Sequence, residues 1–344
     1  MARFPFSWFN LERGRGRNQM YVFAAVLILA VIVVVIFSPH FFGGGKSPPE
    51  MLTEVQVEHE TKEPAPRLAA EATTQVRPNS PVVTPAPAES EPEIGERLAE
   101  AMVLVNTQPS KTIEARDKLN DLLAADLMPH QRTLVKEQLS KLADNWLFGR
   151  TVYPGDRLCE TYRVASGDQL RIIGQKHKVP YQVLMEINKI RRPEDLQAGQ
   201  TIKVIHGPFH AKVYRSIFTM DLFLQNTYVR SFPVGLGKAG YETPTGLWRV
   251  KPDGKLISPT WTDPDTQRTY RAGDPDYPLG SRWIALEGLK GQAEGRTGFA
   301  IHGTKDPDQI GTPGSRGCIR LHNGDAILVY NLLVPIHSQV RVVE

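Results

Sequence analysis

Cysteine is almost absent from this 344-residue chain: only Cys159 and Cys318 occur. Two thiols exclude a disulfide framework, and a bridge between them would disarm whichever is reactive. Charge of one sign is also lacking. The net charge is +4 and no long basic run occurs, so nucleic acid is not expected as a partner. Hydrophobic residues at 41% and charged residues at 23% are ordinary globular values. The length suffices for two or three domains of about 100–150 residues each.

A long apolar run is present once. Arg3, Arg13, Arg15 and Arg17 precede an uncharged stretch from Met20 to Phe37. At about 1.5 Å per residue it spans roughly 27 Å as a helix, close to the ~30 Å hydrocarbon core of a bilayer. The arginines should hold residues 1–19 in the cytoplasm, with 20–42 as a transmembrane anchor and the rest outside, on the periplasmic or cell-wall side. A cleaved signal peptide is the rival reading. Its apolar core is usually about 7–15 residues and ends in a small-x-small site. Here the run ends in Ser38-Pro39-His40-Phe41-Phe42.

Residues 43–93 are Pro, Glu, Thr, Ala and Gly with almost no aromatics. Such a segment buries too little apolar surface to offset its ordering entropy and is expected to be a disordered linker. Residues 94–150 turn helical in pattern. Ile94, Leu98, Ala101, Met102 and Val105 follow helical spacing, with further runs at Leu119–Leu123 and Leu134–Leu142. Pro109-Ser110 and Met128-Pro129 are candidate helix starts. Packing or self-association is the expected role, and oligomeric state is not readable.

Residues 161–206 read strand, helix, helix, strand. Tyr162-Arg163-Val164 leads to Ser166-Gly167-Asp168-Gln169-Leu170, where Gly167 permits a tight turn and Asp168 is placed to cap the following helix. Two amphipathic stretches follow, and Gly199-Gln200 turns the chain into Thr201–Ile205. This ladder resembles a lysin motif, a βααβ module that grips N-acetylglucosamine polymers such as peptidoglycan glycan strands. The resemblance places a glycan groove at Gly167, Asp168, Gln169, Asn188, Lys189 and Ile190. Gly174 and His177 stand where the family usually carries Ala and an aromatic, an exchange expected to soften helix packing. His206 and His210 are four apart, but Gly207-Pro208 between them breaks any helix, so no metal is expected there.

From 209 to 344 short apolar or alternating runs predict a β-rich domain: Ala211–Ser216, Thr219–Gln225, Tyr228–Val234, Leu247–Val250, Trp283–Leu286 and Phe299–His302. Chemistry concentrates in Ile301-His302-Gly303-Thr304 and Ser315-Arg316-Gly317-Cys318-Ile319-Arg320. A thiol near pKa ~8.5 is a few per cent thiolate at pH 7; lowering it to about 6.5 takes roughly 2.7 kcal/mol. Arg316 and Arg320 are the expected source of that positive field. His302 suits a base that takes the thiol proton and returns it to a leaving amine. The interval 318 − 302 = 16 residues suits two adjacent strands joined by a loop through Gly311-Thr312-Pro313-Gly314. Gly317 lets backbone amides converge on one spot as an oxyanion hole. A zinc site from His302, Cys318 and His322 is the competing reading, as is a structural thiol. Cys159 has no histidine motif around it and reads as a bystander.

The string His-Gly-Thr followed by Ser-Arg-Gly-Cys-Ile-Arg resembles the signature of the YkuD-type L,D-transpeptidase family. Pro233-Val234-Gly235, Gly240-Tyr241-Glu242-Thr243-Pro244-Thr245-Gly246 and Pro278-Leu279-Gly280-Ser281-Arg282-Trp283 resemble its upstream and middle segments. The resemblance implies a mainly β, sandwich-like catalytic domain with Cys318 as nucleophile and His302 as base. It implies that Gly303 orients the histidine through its carbonyl, and that Ser315, Arg316, Gly317, Arg320 and Tyr241 line the substrate or oxyanion site. No cofactor and no metal are implied. The implied reaction is attack on a peptidoglycan stem tetrapeptide with release of D-alanine. An L,D-carboxypeptidase, an enzyme attaching protein to the wall, or a non-catalytic wall anchor stay open beside it. The stretch 251–276 is longer and more polar than a minimal member needs, and is expected to be a lid or gating insertion.

Overall fold

The computed structural model describes residues 91–107 and 109–344. The expected cytoplasmic stub and membrane anchor lie outside the described residues, as does nearly all of the linker. Among the described residues no helix is long and apolar enough to cross a membrane. Three helices come first: α1 (Glu91–Asn106), α2 (Thr112–Leu122) and α3 (Pro129–Trp146). Helix α1 is described from Glu91, three residues ahead of the expected boundary, and carries Glu91 and Glu93 there. Helix α3 starts at Pro129, whose missing N–H costs nothing at that position.

The lysin-motif region follows as β1 (Cys159–Arg163), α4 (Leu170–Lys176), α5 (Tyr181–Asn188) and β2 (Thr201–Ile205), with β1 and β2 antiparallel. Two expectations change here. Asp168 does not cap α4; its Oδ2 accepts from the Ala165 amide and the Tyr162 hydroxyl, both at 2.8 Å, and so braces the turn. Gly174 tightens the packing rather than softening it. A Cβ there would lie 2.7 Å from the Val179 carbonyl oxygen, so only glycine lets α4 approach the chain entering α5 this closely.

The remaining chain forms β3 (Phe209–Tyr214), β4 (Thr219–Leu224), β5 (Thr227–Pro233), β6 (Leu236–Gly237), β7 (Gly246–Ile257), β8 (Trp261–Thr262), β9 (Thr269–Tyr270), β10 (Arg282–Lys290), β11 (Phe299–His302), β12 (Pro313–Ser315), β13 (Ile319–Arg320), α6 (Asn323–Leu332) and β14 (Gln339–Val343). The expected sandwich is instead one mixed eight-stranded sheet of order β13-β11-β10-β7-β14-β3-β4-β5, with two-stranded ladders β6-β12 and β8-β9 beside it. Register shifts between β7 and β10 mark irregularities of the kind that bend a sheet. The domain is mainly β, as expected. Strand β14, which is not among the runs expected above, pairs with both β3 and β7 near the sheet's centre and buries Val340 and Val342.

The helical element covers the open edge of this sheet. Edge strand β5 offers its Tyr228 amide to the Asn120 side chain of α2 at 2.9 Å. Lys136 of α3 pairs with buried Asp221 of β4 at 2.6 Å, and Asp144 with Arg230 of β5. An edge paired this way cannot recruit another strand. The lysin motif is tied to the same helices by buried Lys203, whose ammonium donates to the carbonyls of Trp146, Gly149 and Thr151. Three donors meet three acceptors, which compensates its desolvation.

Asn188 is 4% exposed, and its amide is spent on the Leu184 and Lys203 carbonyls and the Lys203 N–H, all within 2.8 Å. It stitches α5 to β2 and has no free polar atom to offer a glycan, which corrects its expected role. Replacement by alanine strands buried backbone groups. The Asn188→Ala chain should lose about 2–4 kcal/mol of unfolding free energy in a denaturant titration.

Candidate active site

Parallel pairing of β11 with β13 aligns Ile301 with Ile319 and His302 with Arg320. Strand side chains alternate faces, so His302 and Arg320 share one face, and Cys318, one step before β13, continues it. Adjacent strands are about 4.8 Å apart, so imidazole and thiol emerge as neighbours. Antiparallel pairing of β10 with β11 puts Trp283 opposite His302 on that face, and the rings stack with centroids 5.4 Å apart. In the sequence Trp283 stands in a strand and closes the Pro278–Trp283 segment, with no role of its own. Its role emerges from cross-strand register.

His302 is buried, and its Nδ1 lies 2.6 Å from the Gly303 carbonyl oxygen. A carbonyl only accepts, so Nδ1 carries the proton and Nε2 keeps its lone pair. Burial pushes the imidazole down to about 4. Arg320 acts in the same direction, while the Gly303 and Leu279 carbonyls oppose it. Gly303 has no room for a side chain: a Cβ would strike Asn323 Oδ1 and approach Gly280 Cα. Asn323 accepts from the Thr304 amide at 3.1 Å and donates to the Thr304 carbonyl at 2.9 Å, which clamps the loop whose Gly303 carbonyl holds the ring. No local pattern marks Asn323; its part depends on α6 folding back against β11.

The turn leading into Cys318 is held by Ser315. Its buried hydroxyl donates to the Cys318 carbonyl at 2.7 Å and accepts from the Gly317 amide at 3.0 Å. Ser315 therefore shapes the turn rather than lining the site. The Gly317 amide is already satisfied and is not the expected oxyanion donor. Gly317 itself is obligatory. Its φ is +101°, and a Cβ would lie 2.5 Å from the Phe299 ring.

The expected low thiol pKa is not found. Burial pushes the Cys318 thiol up; the Ala300 amide and Arg320 pull it down by less. Arg316 does not contribute, because it pairs with Asp265 of the 251–276 insertion and lies over the Tyr241 ring at 5.1 Å. Tyr241, nearly half exposed, has Lys238 5.4 Å from its ring as well. The pair thus rests as thiol and neutral imidazole. Cys159 is buried and free, with its thiol pushed up to about 12 by burial, which leaves it inert.

A cleft of about 420 Å³ reaches the Arg320 side of this face without being lined by His302 or Cys318; its walls are Arg268, Tyr270, Asp276, Pro278, Thr304, Lys305, Asp306, Gln309 and Arg320. Lys305 pairs with Asp276 at 2.6 Å, which joins the insertion to the loop after His302. In the lysin motif, Gly167, Gln169 and Lys189 are exposed, Asp168 is half-buried and Ile190 is buried. His206 and His210 are not brought together: His210 Nδ1 accepts from the Gln339 amide, while His206 faces His177. Among the described residues, His302, Cys318 and His322 form no group at metal-ligating distance.

Two outcomes follow from this geometry. The reactive form carries one proton shared by the pair. It gains a second only as pH falls toward about 4, and loses the last only above the thiol's ordinary range. The pH profile of kcat/KM should stay flat from about pH 5 to pH 8, and alkylation of Cys318 by iodoacetamide should still be rising at pH 8.5. A profile whose acid limb falls at 6.5 would mean the imidazole is not desolvated. Gly317→Ala should cut kcat at least about a hundredfold through the misplaced nucleophile, while Asn323→Gly costs less.

Family models place an L,D-transpeptidase catalytic domain over 209–342 and a LysM domain over 162–204. YkuD of Bacillus subtilis strain 168, which bears the L,D-transpeptidase name provisionally, is 30% identical over 189 residues, covering 53% of this chain and 98% of its own. ErfK/SrfK of Escherichia coli K12, named a probable L,D-transpeptidase, is 35% identical over 127 residues, 34% of this chain and 37% of its own. A solved L,D-transpeptidase of Mycobacterium tuberculosis H37Rv aligns over 43% of this chain and 64% of its own, at 18% identity and a TM-score of 0.32, too slight a likeness to bear on the site. With near-complete coverage of YkuD and the His302–Cys318 face in place, the chain belongs to the YkuD-type L,D-transpeptidase family of enzymes and carries a lysin motif ahead of the catalytic domain.

Proposed function

We propose that this enzyme crosslinks peptidoglycan stems through a Cys318 thioester while anchored in a membrane by residues 20–42, with its catalytic domain outside the cytoplasm. The observation that carries the reaction is the shared sheet face of Cys318, His302 and Arg320 beside a cleft of mixed charge. Thiol and imidazole start neutral, so proton transfer to His302 Nε2 accompanies attack of sulfur on the carbonyl of the stem's third residue. The imidazolium that develops meets the Gly303 carbonyl and the Trp283 face, interactions stronger in the transition state than before it. With the Gly317 amide committed, we assign the Cys318 amide as an oxyanion donor. Collapse breaks the C–N bond, and His302 returns the proton to the departing D-alanine amine. An amine of a second stem then attacks the thioester, and the thiol is restored.

The cleft suits a diamino acid at the third stem position. Arg320 offers a cation to a carboxylate and Asp306 an anion to an ammonium, while Arg268 and Lys305 are paired with Asp276 at the cleft's rim. This yields 3→3 crosslinks. Arg316, latched to Asp265, makes the 251–276 insertion a cover over the nucleophile turn. The lysin motif holds glycan strands and raises the local concentration of stems. The apolar run from Met20 and the Pro-rich segment of about 50 residues after it support an anchor with reach through roughly 40 Å as a coil.

The test uses the full-length enzyme in detergent with disaccharide-tetrapeptides, read by mass spectrometry. Wild type should release D-alanine and form stem dimers; Cys318→Ala should lose both by at least about a thousandfold. Release without dimers would identify a carboxypeptidase. Fragments bound but unchanged by wild type would identify a wall anchor.

A further inference from the structure

Among the described residues, one group of side chains comes within metal-ligating distance, far in the sequence from the nucleophile: Glu160, His177 and His206. Glu160 lies on β1 opposite Val204, His177 is the C-cap of α4, and His206 follows β2 directly. We propose that these three residues form a site for a borderline divalent metal ion, zinc foremost, at the junction between the lysin motif and the catalytic domain.

The geometry is that of a coordination edge. His177 Nδ1 and His206 Nδ1 are 3.2 Å apart. Two nitrogens bound to one zinc at about 2.05 Å in a tetrahedral arrangement stand ~3.3 Å apart. Glu160 Oε1 is 3.4 Å from His206 Nε2, the position from which a carboxylate fixes a ligating histidine's tautomer or swings in as the third ligand. The backbone holds both rings in place beforehand. The His206 amide donates to the Leu158 carbonyl, and the Gly207 amide donates to the His177 carbonyl, both at 2.8 Å.

Without an ion the two rings face each other across a single hydrogen bond. Two facing Nδ1 atoms have room for one proton between them. His177 Nε2 is buried with no hydrogen-bond partner, so nothing on the far side of that ring selects its tautomer. An ion bound at both Nδ1 atoms would take the place of the proton they share and put the His177 proton on Nε2. Two imidazoles and one carboxylate, with water completing the shell, match zinc's preference for N and O donors over that of calcium or magnesium.

The chain also carries histidines elsewhere and a catalytic thiol, so the experiment needs controls. Full-length Cys318→Ser enzyme without a polyhistidine tag is titrated with zinc against a chromophoric chelator at pH 7.5. One ion per chain should bind with Kd of about 10 µM or tighter. His206→Ala and His177→Ala should each weaken that ion at least tenfold, and Glu160→Gln at least about threefold. Zinc should raise the Tm of the parent but not of His206→Ala. That readout covers the case in which His177→Ala, buried as it is, fails to fold. Absence of an ion at 100 µM zinc, or an ion retained equally in both histidine variants, overturns the proposal.

Discussion

Two short parallel strands set the chemistry of this enzyme. The pairing of Phe299–His302 with Ile319–Arg320 brings a histidine and a cysteine sixteen residues apart onto one face of a sheet. It does so at the sheet's end, where β13 is held from its other side by the reciprocal backbone bonds of Gly235 with Arg320. Displacing β13 by one residue would turn Cys318 to the opposite face. Ser315 and Gly317 before the strand and Asn323 after it brace it against that slip. Each works by occupying backbone hydrogen bonds or by fitting where no side chain can.

The same pairing decides the electrostatics. A buried face penalises any charge, so thiol and imidazole are both held neutral, and one cation, Arg320, is too little to reverse this for the thiol. A pre-formed thiolate would be reactive toward any electrophile. A neutral pair becomes nucleophilic only when a substrate carbonyl is present to accept the sulfur and its charge is met at once by an oxyanion donor. Desolvation here trades ground-state reactivity for selectivity.

Much of this was legible in the sequence wherever function sits on contiguous residues. The His-Gly-Thr and Ser-Arg-Gly-Cys-Ile-Arg strings carried their own chemistry, and the short alternating runs marked most of the strands. What the sequence hid depends on residues that meet only after folding. Arg316 stands two positions from Cys318 and reads as its electrostatic partner, yet Asp265 claims it. Gly174 reads as a packing flaw until the Val179 carbonyl is seen pressed against it. Asn188 reads as a groove residue, but its carboxamide is exhausted by backbone. Strand β14 carries a plain alternation in Gln339–Val343, and its place at the centre of the sheet follows from parallel pairing to β3, which no local signal encodes.

The helices ahead of the catalytic domain have a mechanical consequence. Lys203 binds their C-terminal carbonyls to the lysin motif, while Lys136 and Asp144 bind them to β4 and β5. Buried ion pairs and charge-to-carbonyl bonds are costly to break singly, because each leaves an uncompensated charge behind. A lysin motif joined in this way cannot drift at the end of a free tether. If it holds a strand, the strand stands at a fixed distance and angle from the cleft beside Cys318. Two linked modules gain effective concentration only when their geometry permits both to engage one polymer. Under the proposed function, this joint makes the spacing between a gripped sugar and a reachable stem a property of the fold, and restricts which stems along a strand Cys318 meets.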